Sequence, residues 1–410
     1  MIPDERGTGA RLRLLRAAPG YRLVFLAALA SGIGTWLAFV ALVLDVTERT
    51  EDARWVSALL VAEFLPVVVI GLLAGPLVDR LPRRKILIAS DLARAVVFLL
   101  LPFAPDVLAI VLLALAAGVF TSLFRPALYA GLPNLVSDED LPQANSLLQT
   151  AENLTWAVGA VAGGALVAVS GPDAAYVVNV FSFVVSALLF LRVRESLEET
   201  RVAGQGHLRE LADGLRLVVS SRPLLTVLIA WSIVMLSNAA VNVAQVFLAT
   251  RVFDAGELGY GILVATEATG LVIGSFAAGG LIERHGVRGP YGVSIAVMGA
   301  GLLAAAAAAN LWVALPFVVI AGIGNGAAVV CNVVLVQRGA PDALRGRAFS
   351  VLMGIGYAVL GLGMAVAGPI TNAYGARTAW VIASGLCAAG ALVGFVILEP
   401  DAPRREPEPV

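Results

Sequence analysis

The sequence predicts an all-α membrane protein with twelve transmembrane helices arranged as two pseudo-symmetric six-helix bundles. Three observations carry that expectation. The 410-residue chain is 59% hydrophobic and 14% charged, with a mean hydropathy of +0.89. Its apolar residues fall in twelve long runs. Residues separated by 204 positions repeat one another at corresponding helix ends.

Composition excludes several classes. A soluble chain carries about 25% charged residues. This one lacks the charge to cover a water-facing surface of its size, so lipid is the implied solvent. The net charge of −1 offers no basic excess to neutralise phosphates, and no nucleic-acid partner is expected. Cys331 and Cys387 sit inside apolar runs, and His207 and His285 lie in polar loops far apart. Neither a disulfide framework, a metal site nor a cofactor is expected.

The runs fall at residues 22–44, 55–78, 86–104, 107–129, 146–169, 174–192, 224–249, 258–282, 291–309, 311–335, 348–371 and 377–398. Each approaches the ~20 residues that a helix needs to cross a bilayer. They are long, rich in Leu and Ala, and lack period-two alternation, which argues against membrane strands. The first run is too long for a cleaved signal peptide, and eleven further runs follow it.

Basic residues set the orientation. Of the 28 Lys and Arg, all but Arg49, Arg54, Arg94, Arg125, Arg251 and Arg377 fall on one side if the N-terminus is cytoplasmic. That asymmetry predicts both termini in the cytoplasm. The segment 195–222 is the expected linker between residues 1–194 and 223–398. Within it, His207 to Val219 is expected as an amphipathic helix on the membrane surface. The Pro- and Glu-rich tail, 399–410, is expected to be disordered.

The repeat is read directly. Gly75-Pro-Leu-Val-Asp79-Arg80-Leu-Pro-Arg83-Arg84 ends the second span. Gly279-Gly-Leu-Ile-Glu283-Arg284-His-Gly-Val-Arg288 ends the eighth. Ala144 with Ala348, Ser146 with Ser350 and Glu63 with Glu267 match at the same offset. Two parallel six-helix repeats about an axis along the membrane normal follow.

The first segment resembles the signature of the major facilitator superfamily, and the weaker second copy is also typical of it. A narrower likeness lies in Phe124-Arg-Pro-Ala-Leu-Tyr-Ala-Gly-Leu-Pro-Asn-Leu-Val136, Leu141-Pro-Gln-Ala-Asn-Ser-Leu147 and Arg345-Gly-Arg347. It is similar to the drug-exporter branch that includes enterobactin and macrolide efflux proteins. Three positions depart from common family patterns. Pro82 stands where Gly is frequent, Gly159-Ala160-Val-Ala-Gly163-Gly164 lacks the antiporter proline, and Thr35 stands where relatives often carry an acid beside Trp36.

The resemblance implies roles. Gly75, Asp79, Arg80, Arg83 and Arg84, with Gly279, Glu283 and Arg284, would form a gating motif. Asp79 would face the partly positive N-terminus of the eleventh span near Arg347, locking the cytoplasmic ends together. Glu283 would face the start of the fifth span near Asn145. The alternative is that these charges only set topology.

Charges within spans are costly unless paired or hydrated. Asp91 and Arg94 lie three apart and are expected to pair structurally. Glu63, Glu152 and Glu267 are candidate proton-coupling acids. Glu63 and Glu267 each lie about 24 Å before the motif acid, at 1.5 Å per residue. Arg125 could meet an anionic substrate, balance Glu152, or pair with Asp138, Glu139 or Asp140.

In this fold the first, fourth, seventh and tenth spans line the substrate cavity. Thr35, Trp36, Arg125, Asn238, Asn242, Asn325 and Asn332 are its candidate residues, the polar ones falling in stripes at helical period. A mostly apolar lining with few polar anchors suits amphiphilic organic molecules. Helix–helix packing through Asn and Ser is the competing reading.

Glycine pairs at Gly71/Gly75, Gly159/Gly163 and Gly270/Gly274 would let helices approach closely. No phosphate-binding loop, Gly-x-Ser-x-Gly or His-Glu-x-x-His occurs, so no enzyme is expected. The expectation is a monomeric secondary transporter of the inner membrane, exporting a small organic substrate with protons. An importer, an uncoupled facilitator or a transporter-like sensor remain alternatives.

Overall fold

The structure, a computed structural model, describes residues 14–73, 81–194, 197, 207–341 and 344–397. Among these there is no strand. The helices in chain order are α1 (Pro19–Thr50), α2 (Ala53–Leu73), α3 (Arg83–Leu100), α4 (Val107–Gly131), α5 (Leu141–Ser170) and α6 (Pro172–Arg192). After the linker come α7 (His207–Ser220), α8 (Arg222–Phe247), α9 (Gly256–His285), α10 (Arg288–Ala307), α11 (Leu311–Gly339), α12 (Arg345–Tyr374) and α13 (Ala376–Ile397).

Eleven of these, α1, α3–α6 and α8–α13, are long and apolar enough to cross a membrane. The second expected span, 55–78, coincides with α2 and continues into residues outside the described ones. Several helices outrun their apolar stretches. The 32 residues of α1 reach about 48 Å, beyond the ~30 Å of hydrocarbon. Its last turns carry Asp45 and Arg49, which pair at 2.6 Å, and the Tyr176 hydroxyl donates to Asp45 at 2.8 Å.

The repeat is visible atom by atom. Asp106 and Asn310 cap α4 and α11, accepting from the N–H three residues on at 2.8 and 3.1 Å. This satisfies one of the orphan donors at each helix start. Gly171 and Gly375 make the α5–α6 and α12–α13 turns at φ +75° and +82°, which L side chains rarely adopt. Their N–H groups donate to Val167 and Thr371, both at 2.8 Å. Each of these pairs is 204 apart.

The chain falls into two compact units. One comprises Met1–Ala203, Asn242–Ala268 and Met364–Arg377; the other comprises Gly204–Val241, Thr269–Gly363 and Thr378–Val410. In the first, α1 lies against α5 and α6, α2 against α4, and α3 against α4 and α6. Its core gathers Tyr21, Leu87, Phe124, Leu148 and Phe190. The Tyr21 hydroxyl, fully buried, donates to the Ala144 carbonyl at 2.7 Å.

Glycine permits two of these crossings, α5 with α1 and α4 with α2. A methyl on Gly159 would lie 2.7 Å from Trp36 Cβ, and one on Gly163 would lie 2.6 Å from the Leu37 carbonyl oxygen. Gly118 similarly meets Glu63 of α2 at 2.8 Å. Within the second unit, α10 lies against α11. Gly270 and Gly274 press α9 onto Val319 and Ile323 of α11. Gly214 of α7 seats against Arg347 and Val351 at the start of α12, where Arg347 donates to Asp213 at 3.4 Å.

Candidate functional site

The motif arginines cap helix ends. Arg83 donates to the carbonyls of Ala130, at the end of α4, and Leu197, at 2.8 and 3.0 Å. Arg84 donates to Phe190 at 3.0 Å and to Leu191, both at the end of α6. Terminal carbonyls lack partners within their own helix and carry partial negative charge, so a guanidinium there is stabilised. Arg288 does the same to Phe395 at the end of α13, at 2.5 Å. Arg84 with Leu191 and Arg288 with Phe395 are equivalent pairs of the repeat.

Gly75, Asp79 and Arg80 lie outside the described residues. Glu283 and Arg284 are exposed at the end of α9, and a methyl on Gly279 would meet nothing within 4 Å. The Asn145 amide donates to Leu141 of its own helix at 2.9 Å.

The intramembrane charges divide into three groups. Asp91 and Arg94 pair at 2.5 Å with side chains 0% and 4% exposed. The guanidinium lies 4.6 and 4.3 Å from the ring centres of Phe124 and Phe183, a cation–π sandwich. At the repeat offset Ile295 and Met298 replace them, so apolar packing serves in their place.

Arg125 and Glu152 form the second group. They bond at 2.6 Å, with side chains 57% and 26% exposed. The Gln149 amide also donates to Glu152, at 3.4 Å. One turn further along α5, Trp156 stacks on Trp36 of α1 at 5.3 Å and 26°, and Trp36 meets Phe39 edge-on at 5.4 Å. Tyr129 of α4 lies within electrostatic reach of both charges.

Glu63 and Glu267 form the third. Among the described residues no cation or hydrogen-bond donor engages the Glu63 carboxylate. Gln245 donates to Glu267 at 3.3 Å. Tyr260, fully buried, lies within electrostatic reach of both carboxylates. All four residues belong to the first compact unit.

The other cavity candidates vary. The Thr35 hydroxyl donates to Ser31 of its own helix at 2.7 Å. Asn238 and Asn242 are half-buried. Asn325 and Asn332 are buried, and among the described residues the Asn325 Oδ1 and both amide atoms of Asn332 have no hydrogen-bond partner.

Comparison with known proteins resolves the class. Residues 15–407 match the profile of a family described as transmembrane secretion effectors. The chain belongs to that family, a branch of the major facilitator superfamily. Among the proteins this chain is similar to is the multidrug efflux pump Tap of Mycolicibacterium fortuitum. It is 27% identical over 380 residues, 88% of this chain and 91% of that protein. The enterobactin exporter EntS of Shigella boydii is 30% identical over 285 residues, 68% of this chain and 67% of that one. The fold matches a point mutant of the nucleoside transporter NupG with a TM-score of 0.78 at 14% identity, covering 93% of this chain and all of that one. The chain is thus a transport protein rather than an enzyme.

Sequence patterns gave no contact partner for several residues that shape the helix contacts. Gly164 meets the Glu257 carbonyl and Gly261, while Gly368 meets the Ala53 carbonyl and the Ser57 hydroxyl. These are equivalent crossings of α5 with α9 and of α12 with α2. Ser57 donates to Met364 at 2.6 Å, and Gly261 abuts the matching Ala160 carbonyl. The signal was the 204 offset, which also pairs Gly164 with Gly368.

Proposed function

We propose that this protein is a secondary active transporter of the cytoplasmic membrane that exports a drug-like or secondary-metabolite substrate, siderophores included, in exchange for protons. Its twelve spans form two six-helix bundles, residues 1–194 and 223–398, joined by 195–222. Both termini are cytoplasmic, and the working unit is a monomer. Alternating access comes from rocking of one repeat against the other. Gly75, Asp79, Arg80, Arg83 and Arg84, with Gly279, Glu283 and Arg284, form the cytoplasmic gate. Asn238, Asn242, Asn325 and Asn332 supply polar anchors for the substrate.

One observation carries the coupling. Glu63 and Glu267 occupy equivalent positions of the two repeats, within spans, and share the neighbourhood of Tyr260. A carboxylate without a cation at such depth is more readily kept neutral, so it can take up and release a proton. Glu152 has Arg125 beside it and is less suited to that task.

The test is efflux from a pump-deficient bacterial host across a panel of antibiotics, dyes and siderophores, with and without an uncoupler. At least one compound should be expelled, and the uncoupler should stop it. Unchanged retention of every compound would refute export.

A further inference from the structure

Among the described residues, two ion pairs lie within the first six spans, and they differ in one respect. Asp91–Arg94 is sealed between phenylalanine rings. Arg125–Glu152 is open, with Arg125 more than half exposed. Arg125 lies about 9 Å, and Glu152 about 16 Å, along their helices from the ends joined by the 132–140 connection, at 1.5 Å per residue. Charges at that depth are tolerated against water or protein but not lipid, so the open side of the pair is aqueous.

The repeat separates this pair from the scaffold. The equivalents of Arg125 and Glu152 are Val329 and Gly356. The close approach of α5 to α1 at Gly159 recurs at Gly363, which meets Leu236 and Ala239 of α8. The same architecture is therefore built without the charges. Beside the pair stands the stacked Trp36–Trp156 wall. Trp156 follows Glu152 by one turn on the same face. Its indole N–H is buried and has no acceptor among the described residues.

We propose that Arg125 and Glu152 are the receptor for a zwitterionic head group on the exported molecule, an ammonium and a carboxylate held close together as in an amino acid or short peptide. The ligand carboxylate takes Arg125, the ligand ammonium takes Glu152, and the apolar body lies along Trp36 and Trp156. An ion pair this exposed is weak, so exchanging its partners costs little. The guanidinium fork suits a carboxylate. A ligand with a single charge makes only one of the two charge-assisted contacts. This rests on the transport reading and gives it a substrate class.

The test uses purified protein in lipid nanodiscs and its tryptophan fluorescence. The probes are phenylalanyl-alanine, its N-acetyl derivative and its C-terminal amide. The free dipeptide should bind about tenfold or more tighter than either derivative, the loss expected for one unmade charge-assisted hydrogen bond. Arg125→Gln and Glu152→Gln should each abolish that preference. The double exchange Arg125→Glu with Glu152→Arg should restore part of it, and a thermal unfolding scan confirms that each variant is folded. Equal affinity for all three peptides, no saturable binding of the dipeptide, or an unchanged preference in both Gln variants would overturn the proposal. Charge-indifferent binding in a protein that still empties the host cells removes the receptor and leaves transport. Selective binding in a protein that exports nothing does the reverse.

Discussion

Glu63 and Glu267 stand 204 residues apart, at corresponding places in α2 and α9, and the buried Tyr260 of α9 lies within electrostatic reach of both. Sequence duplication thus places one acid from each repeat in a common electrostatic environment. Glu267 has the Gln245 amide at 3.3 Å, and Glu63 has no equivalent donor among the described residues.

That asymmetry predicts unequal roles. Glu63→Gln should abolish pH-driven transport while leaving substrate binding within about twofold, because a neutral amide preserves shape but holds no exchangeable proton. Glu267→Gln should shift the pH response rather than abolish it. Transport in proteoliposomes and equilibrium binding, measured on the same preparation, separate the two effects.

The arginine caps make a prediction about stability. Arg84→Ala leaves the Phe190 and Leu191 carbonyls without their donor, and Arg288→Ala does the same to Phe395. Each should cost about 1–2 kcal/mol, the cost of unmaking charge-assisted hydrogen bonds. Thermal unfolding in detergent checks this, and similar losses in the two variants would reflect the repeat.

The glycine crossings should be intolerant of side chains. A methyl on Gly164 would lie 2.5 Å from the Glu257 carbonyl oxygen, and one on Gly368 would lie 2.7 Å from that of Ala53. Gly164→Val and Gly368→Val should each destabilise by about 1–3 kcal/mol through overpacking. Gly279→Ala, with open space around it, should be stabilising by up to about 1 kcal/mol. The same unfolding scan distinguishes them.

Much of this was legible in the sequence. The apolar runs located the helices, and the 204 offset pairs the caps Asp106 and Asn310 and the turns at Gly171 and Gly375. The i,i+3 spacing of Asp91 and Arg94 gave their pairing. Arg125 had three open partners, and in the fold it is Glu152 that bonds to it, at 2.6 Å. What stayed hidden were bonds to backbone. The carbonyls that receive Arg84 and Arg288 have no side-chain signature, and only helix termination places them. The clasp of Asp213 on Arg347 was equally unreadable, since it depends on where α7 docks.

A pH prediction comes from Asp52, just before α2. Hydrogen bonds from Arg54 and then from Asn372 hold its carboxyl well below the usual carboxylate range. Asn372 in turn accepts the Ala53 N–H at 2.8 Å. A folded-state pKa below the unfolded value stabilises above the unfolded value, about 3.9 for Asp. That contribution fades only as pH falls through the lower folded value. The difference in unfolding temperature between the wild type and Asp52→Asn should therefore stay constant from pH 8 to pH 5. A difference that shrinks across that window would contradict the shift.

Proton-coupled export is tested most directly in proteoliposomes with an imposed pH gradient, using whichever compound the host assay identifies. Coupling predicts that the compound moves against its own gradient while the pH gradient lasts. It also predicts that an uncoupler stops this movement and that Glu63→Gln slows it by about tenfold or more. Movement at the same rate with no gradient, or an undiminished rate in both Glu63→Gln and Glu267→Gln, would contradict it.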